Sequence, residues 1–314
     1  MRVLITGGAG FIGSNLCRRL TDGSVPAVDR VVVIDDLSTG FASNLDGLDV
    51  EFVEGSILDE AALARASSDV DAIVHLAALG SVPRSVADPV ASHLANATGT
   101  VAVLEAARRN DAHVVVASSS SVYGATPTLP KREDLPTRPM SPYAASKLAT
   151  ESYTNAYFHS YGLDTLAFRF FNVFGPRQPA GHAYAAVVPA FVDAALAGRP
   201  VRIHGDGTQS RDFTFVDTVT ATIADALVRR VSDPEPVNLA FGTRTDLLTL
   251  VDLIEQHVGH PVEREHTDPR AGDVPHSQAD ASRLRQLFAD IAPVSLEEGL
   301  AATIAWMRSM HAES

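Results

Sequence analysis

The first 170 residues alternate short apolar runs with stretches of helical character, and few folds accept that pattern. Val3-Leu4-Ile5, Val31–Ile34, Val50–Val53, Ala72–His75, Val114–Ala117 and Leu166–Phe170 are rich in β-branched and other apolar residues. Strands that lack a regular polar alternation are covered on both faces, as in a parallel sheet between two helix layers. The segments between them predict helices over 11–21, around 101–109 within a longer helix, and over 143–161. Strand–helix alternation of this kind predicts an α/β chain built on a doubly wound parallel sheet of the Rossmann type.

After Asn172 the texture changes. Residues 175–185 are rich in Pro and Gly and predict a loop. Helices are expected over 187–198 and 216–230, with short strands near 201–204 and 237–240. The last 70 residues look mainly helical, with a Pro/Gly/Arg loop at 268–275. The expected organisation is a dinucleotide-binding domain formed by 1–174 plus about 214–242. A smaller mixed α/β substrate domain would take about 175–213 plus 243–314.

A chain of 314 residues with 46% hydrophobic content is large enough for such a core. Its net charge of −13, with no run of Lys and Arg, argues against nucleic acid as a partner. No stretch of about 18 apolar residues is present to span a membrane, and the N-terminus lacks the apolar core of a signal peptide. A cytoplasmic location is expected. Cys17 stands alone, so neither an intrachain disulfide nor a CxxC site is possible, and it reads as a small buried residue. The His residues are scattered and no metal site is expected.

Gly7, Gly10 and Gly13 form a G-x-x-G-x-x-G turn between the first strand and the first helix. Without Cβ atoms the backbone can approach a pyrophosphate, and the helix N-terminus offers free N–H groups to it. Asp35 ends the second strand, 22 residues after Gly13. A carboxylate there accepts both ribose hydroxyls of NAD and repels the 2′-phosphate of NADP. Asp36 follows and no Arg is near, so NAD is the expected cofactor.

Tyr143 and Lys147 lie four residues apart on a predicted helix, and so on one face. A phenol near pKa 10 is a weak base at neutral pH, and a nearby ammonium favours its ionised form. The run Ser118–Ser121 follows the fifth strand directly, at the sheet end where ligands bind in doubly wound folds. A serine there can share a proton with Tyr143. The run lacks a G-x-S-x-G elbow, which argues against a hydrolase triad.

In order along the chain, TGGAGFIGS (6–14), DDLSTG (35–40), HLAA (75–78), SSSSVYG (118–124) and SPYAASK (141–147) resemble an extended short-chain dehydrogenase/reductase. FFNVFGPRQ (170–178), GDGTQSRDF (205–213) and RAGDVPHSQAD (270–280) narrow the resemblance to nucleotide-sugar 4-epimerases. AALGSVPRS (77–85) and AYAAVVP (183–189) are most similar to UDP-N-acetylglucosamine 4-epimerases. The resemblance implies Ser119, Tyr143 and Lys147 as the catalytic group. It implies cofactor contacts from Gly7, Gly10, Phe11, Ile12 and Gly13, and from Asp35, Asp36, Ser38, Thr39 and Gly40. Further cofactor contacts are implied at Ser56, Ile57, Leu76, Ala77, Ala78, Asn96 and Phe171, besides Tyr143 and Lys147. Ser56 stands where relatives often carry an Asp toward adenine.

For the substrate, the resemblance implies Arg211 and Arg270 on a UDP diphosphate and Asp273 on the nucleotide ribose. Asn172 is implied on the diphosphate side. Arg suits phosphate because its guanidinium gives forked, charge-assisted bonds. The sugar is expected near Gly80, Ser81, Arg84, Ser119, Ser120, Tyr143, Gln178, Ala186, Val187 and Ser277. Galactose-restricted relatives tend to carry Tyr where Ser277 stands, so small side chains here leave room for a 2-acetamido group. The expected reaction is 4-epimerisation of a UDP-sugar by transient oxidation and re-reduction at C4. UDP-N-acetylglucosamine is favoured and UDP-glucose remains possible. A UDP-uronic acid stays open through Arg84, as do a nucleotide-sugar dehydratase or reductase and a non-enzymatic NAD-binding regulator. Dehydratases of this type carry Asp-Glu where Ser120 and Ser121 stand, and regulators usually lose the Tyr/Lys pair. The resemblance also implies a homodimer through a four-helix contact made by helices 86–108 and 143–161.

Overall fold

The computed structural model of the chain describes residues 1–180, 185–268 and 274–313. Its described residues form two compact units. The first comprises Met1–Thr126, Glu133–Phe170 and Thr220–Asn238; the second comprises Pro127–Arg132, Phe171–Val219 and Leu239–Ser314.

The first unit is built on strands β1 (Arg2–Thr6), β2 (Arg30–Asp35), β3 (Val50–Glu54), β4 (Ala72–His75), β5 (His113–Ser119) and β6 (Thr165–Phe170). They pair in parallel in the order β3-β2-β1-β4-β5-β6. The crossovers are helices α1 (Phe11–Thr21), α2 (Glu60–Ala66), α3 (Val82–Ala87), α4 (Pro89–His93), α5 (Gly99–Asn110) and α6 (Pro142–Tyr161). Strand order reverses between β1 and β4, so the crevice at their carboxyl ends is the topological switch point of the sheet. Val3, Leu4, Ile5, Val32, Ile73 and Val114 are fully buried. Each such side chain contributes about 1.5–3 kcal/mol of burial, which fixes the strands that carry the switch point.

Helix ends follow local chemistry. Asp59 accepts from the N–H groups of Ala61 and Ala62 and starts α2. Ser141 Oγ accepts from Ala144 N at 3.1 Å and Pro142 occupies the first turn, so α6 begins one residue before Tyr143. Gly162 ends α6 in the left-handed region at φ +67°.

The helix expected over 86–108 is interrupted. Asp88 stops α3 and caps α4 through a 2.9 Å bond from Ala91 N, because Pro89 lacks an N–H and biases Asp88 away from helical angles. A π-helical turn over Leu94–Thr98 then joins α4 to α5.

The second unit contains β7 (Val173–Phe174), α7 (Val187–Leu196), β8 (Val201–His204), β9 (Ser210–Arg211) and β10 (Thr214–Phe215). Helix α8 (Val216–Val228) runs from it into the first unit, and β11 (Val237–Leu239) lies beside β6 as the seventh strand of the large sheet. The second unit continues with β12 (Thr245–Asp246), α9 (Leu247–Val258), β13 (Arg264–Thr267), α10 (Ser282–Leu287) and α11 (Leu296–Glu313). Its strands form two-stranded ladders, β7 with β10, β9 with β12 and β8 with β13. The Phe174 and Phe215 rings lie 5.5 Å apart, and α11 approaches them at Gly299, where a Cβ would come within 2.7 Å of the Phe174 ring. No helix among the described residues is long and apolar enough to cross a membrane.

Candidate active site

Four residues, Gly7–Gly10, connect β1 to α1. Gly7 has φ +74°, and a Cβ there would lie 2.7 Å from the backbone N of Ala77. A Cβ on Gly13 would lie 2.3 Å from the Gly7 carbonyl oxygen. The turn therefore presses its own backbone against the first turn of α1 and the exit of β4, with no room for side chains. Phe11 and Ile12 open α1, and no side chain caps its first N–H groups.

Asp35 closes the turn from β2. Its Oδ2 accepts from Ala9 N and its Oδ1 from Leu37 N, both at 2.9 Å. Burial pushes its carboxyl up, while these N–H bonds pull it back toward the ionised form. Asp36, Ser38 and Thr39 are exposed beyond it, and Gly40 packs on the Ala9 backbone. Asn44 Nδ2 and Phe41 N both donate to Ala9 O, at 2.9 and 3.1 Å. On the neighbouring strand ends, Ser56 Oγ accepts from Leu58 N, Ile57 is buried beneath Gly99, and Leu76 N and Ala77 N donate to Thr6 O and Oγ1. Ala78 follows, half-buried. A backbone cradle, a free helix N-terminus and a carboxylate on β2 fit a dinucleotide. No Lys or Arg occurs between Asp35 and Arg65 to meet a 2′-phosphate.

Across the switch point, β5 and α6 bring the proposed reacting groups together. Tyr143 and Ser119 are hydrogen-bonded through their side chains, and Lys147 Nζ donates to Ala117 O at 2.8 Å. Burial raises the Tyr143 phenol above its ordinary value, and the Ser119 bond opposes that. Burial lowers the Lys147 ammonium to about 8, with Glu151 acting the other way. Asn96, in the π-helical turn, accepts from Leu79 N at 2.7 Å and donates to Ser146 Oγ at 2.9 Å. It thus ties the loop after β4 to the helix that carries Tyr143 and Lys147. His75 bridges Thr6 and Thr100, and burial pushes its imidazole down to about 3, so it is neutral.

The other proposed substrate residues of the first unit follow β4 and β5 in the chain. Gly80 is exposed, and Ser81, at φ +95°, caps α3 by accepting from Arg84 N. The Arg84 guanidinium makes no hydrogen bond or ion pair among the described residues. Ser120 opens a short 3-10 turn, and the buried hydroxyl of Ser121 has no partner among the described residues. The Cys17 thiol is buried and pushed up to about 12, an inert group.

In the second unit, Phe171 is fully buried. Asn172 sits at φ +33° and donates to Asp212 O. Gln178 Nε2 donates to Val173 O, and its buried Oε1 has no hydrogen bond among the described residues. Ala186 and Val187 start α7. Arg211 Nη1 donates to Ser210 O and Pro275 O, and Ser277 N donates to Ser210 O, so Arg211 and Ser277 share one backbone frame. Arg270 and Asp273 lie outside the described residues.

Sequence reasoning passed over five residues here. Asp212 is fully buried and accepts from Gly242 N, Thr243 Oγ1 and Ala279 N, holding three segments of the second unit together; burial raises its carboxyl to about 6. Arg244 and His276 both bond Ser210 Oγ, beside Arg211. Glu151 pairs with Arg169, both buried. Only the last carried a sequence signal, since an Arg inside the apolar strand Thr165–Phe170 needs a buried acid. The described residues include no group of three His, Cys, Asp or Glu side chains placed to hold a metal ion.

The family model for the NAD dependent epimerase/dehydratase family matches residues 3–240. The chain is 42% identical to a UDP-glucose 4-epimerase of Mycolicibacterium smegmatis, over 98% of this chain and 99% of that one. It superposes on a UDP-N-acetylglucosamine 4-epimerase from Methanobrevibacter ruminantium, in complex with UDP-N-acetylmuramic acid, with a TM-score of 0.91 and 37% identity, covering 98% of both chains. It also superposes on a UDP-glucuronic acid 4-epimerase from Bacillus cereus, in complex with UDP-glucuronic acid and NAD, with a TM-score of 0.90 and 29% identity, covering 99% of this chain and 100% of that one. The chain belongs to the NAD dependent epimerase/dehydratase family. Within that family it is an isomerase, and its cofactor is NAD.

Proposed function

We propose that the chain is a UDP-sugar 4-epimerase whose sugar carries an acetamido group at C2, interconverting UDP-N-acetylglucosamine and UDP-N-acetylgalactosamine. The observation that carries the reaction is the Ser119–Tyr143 hydrogen bond with Lys147 on the same helix face, next to Ser120 and Ser121. Dehydration needs an acid and a base beside that pair, and hydroxyls at 120 and 121 supply neither.

In this reading the residues proposed for NAD belong to the first unit, Phe171 excepted, and those proposed for the UDP moiety belong to the second. The glycine turn and the α1 N-terminus take the pyrophosphate, and Asp35 takes the adenosine ribose. Asp36, Ser38, Thr39, Gly40, Ser56 and Ile57 flank the adenosine, while Leu76, Ala77, Ala78, Asn96 and Phe171 flank the rest. Bound NAD supplies the two-electron acceptor and donor for sugar carbon C4. Tyr143, linked to Ser119, removes the proton of the 4-hydroxyl and later returns it. Lys147, with a pKa of about 8, is about nine-tenths protonated at pH 7, and its positive charge offsets the burial that disfavours a Tyr143 phenolate. Arg211, with Arg270, holds the diphosphate, Asn172 adds a contact to it, and Asp273 holds the nucleotide ribose. Anchoring through UDP leaves the sugar free to present either face.

The acetamido assignment draws on residue identity: Gly80, Ser81, Ala186 and Ser277 are small at the positions where the resemblance implies sugar contacts, as it also does for Val187 and Gln178. A second reading, a UDP-uronic acid, draws on Arg84, whose guanidinium has no partner among the described residues. A homodimer is supported by Val82, Val86, Val90 and Leu94, exposed at spacings of four, and by exposed Tyr153 and Tyr161 on α6. Light scattering at twice the chain mass is the expected result.

The test is incubation of the purified protein with UDP-N-acetylglucosamine, UDP-glucose or UDP-glucuronic acid, without added NAD, followed by proton NMR. UDP-N-acetylgalactosamine should accumulate. Turnover confined to UDP-glucuronic acid would transfer the assignment to Arg84, and turnover of none, even with NAD added, would overturn the reading.

A further inference from the structure

Three residues of α6, at positions i, i+4 and i+8, each bond one of three consecutive residues at the end of β5. Tyr143 bonds Ser119, Lys147 bonds Ala117 O, and the Glu151 carboxylate accepts from Ser118 Oγ. Only the third contact is anchored from behind. Arg169 on β6 grips Glu151 in a fork, with Nε to Oε1 and Nη2 to Oε2 both at 2.9 Å. The pair is buried, and Arg169 lies over the Tyr123 ring at 4.7 Å while donating to Glu133 O.

We propose that Glu151 is a positioning residue of the Tyr143–Lys147 pair: its carboxylate fixes α6 in register on the end of β5 and keeps Lys147 an ammonium ion. The inference rests on the catalytic reading of Tyr143 and Lys147 given above. A buried ammonium with only a carbonyl acceptor favours losing its proton. The charged groups around it leave Glu151 as the opposing influence. His75 on β4 is neutral. Tyr143 and Tyr123 are phenols raised by burial. Arg169 on β6 is a cation already paired with Glu151. Helices α3 and α4, which also pack on α6, bring Arg84 and His93 as their charged or titratable groups. On α5, Glu105 bonds Tyr157, about three turns along α6 from Lys147, and carries Arg108 with it. The Glu151–Arg169 fork therefore does two things at once. It holds a negative charge in the core, and it aims that charge along the helix face toward Lys147.

The chain has two lysines, Lys131 and Lys147, so the ammonium can be read directly. Protein labelled with carbon-13 lysine gives two side-chain Cε signals, assigned with Lys131→Arg, and each is titrated by NMR without any substrate. In the wild-type holoenzyme Lys147 should titrate near 8. In Glu151→Gln it should titrate at least one pH unit lower, and in Glu151→Asp, which keeps the carboxylate, by less than half that shift. The alkaline limb of kcat against pH should move with the titration in each variant, with KM changing less than kcat. Nonspecific damage to the packing would move Glu151→Asp as far as Glu151→Gln. Should Glu151→Gln not fold, the double variant Glu151→Gln/Arg169→Met, which removes both buried charges together, takes its place with the same downward shift expected. An unmoved Lys147 in a folded variant that lacks the Glu151 carboxylate, or an equal shift in Glu151→Asp, overturns the proposal. If the wild type turns over no UDP-sugar, the catalytic reading fails on its own, and the titrations still decide whether Glu151 holds the charge.

Discussion

Tyr143 is the residue on which the proposed chemistry turns, and its surroundings leave it little margin. Burial disfavours its phenolate, and the Ser119 bond opposes burial; in the proposed reading the Lys147 charge adds to that opposition. Tyr143→Phe should lower turnover by about 10²–10⁴-fold, the range for loss of a general base. NAD released on denaturation should stay equimolar with the chain, since the variant keeps the ring and loses one hydroxyl among many cofactor contacts. Ser277→Tyr tests the pocket instead. The ring would fill volume beside Arg211, so turnover of UDP-N-acetylglucosamine should fall by about 10–100-fold relative to UDP-glucose, measured as a ratio of kcat/KM values. At this scale the sequence was informative wherever a residue type answers a local need. Glycines that must lack Cβ, a YxxxK pair and a strand-ending Asp are visible as letters. Glu151, Asp212, Arg244 and His276 are not, because their roles depend on which distant side chain they meet. Arg169 was the exception that could have led to Glu151.

Elements were legible where burial sets the pattern. The six strands of the first unit fall where continuous apolar runs predict them, since a sheet covered on both faces admits no polar alternation. The helix expected over 86–108 was misread as continuous because Val82, Val86, Val90 and Leu94 keep helical spacing across the Asp88-Pro89 break. The π-helical turn over Leu94–Thr98 is equally silent in periodicity, yet it is where Asn96 links the β4 loop to α6. The glycine turn offers the sharpest test of an element. Gly13→Ala would set a Cβ 2.3 Å from a backbone oxygen, and no flexible side chain can yield there. The turn must open, so NAD affinity should fall at least about tenfold, equivalent to about 1.4 kcal/mol, measured by calorimetry on protein stripped of cofactor. Ser141→Ala makes a smaller change. It removes the cap of α6 and should cost about 1 kcal/mol in urea unfolding.

At the scale of the molecule, two buried groups give the units opposite responses to acid. His75, in the first unit, has its pKa lowered by burial from 6.5 to about 3. Between those values the unfolded chain binds the proton and the folded chain does not, so this group's contribution to stability falls as pH drops below about 6.5. Asp212, in the second unit, has its pKa raised by burial from 3.8 to about 6. Between those values the folded chain binds the proton first, so its contribution grows as pH falls through 6 toward 3.8. From pH 7 to pH 4.5 each term changes by about 2–3 kcal/mol, at 1.36 kcal/mol per pH unit, with opposite signs. Urea unfolding of wild type, His75→Gln and Asp212→Asn at both pH values separates them. The destabilisation caused by His75→Gln should be smaller at pH 4.5 than at pH 7, because the wild type has by then lost what the neutral imidazole contributed. The destabilisation caused by Asp212→Asn should be larger at pH 4.5, because the wild-type carboxyl is by then protonated and relieved of its buried charge. The single tryptophan, Trp306, lies on α11 in the second unit, so its fluorescence follows that unit while circular dichroism follows both. If unfolding is one cooperative transition, both probes give the same midpoints and the two terms largely cancel in the wild type. If the units part, the fluorescence midpoint should rise relative to the dichroism midpoint as the solution is acidified, and a fall instead would contradict the assignment of the two buried groups.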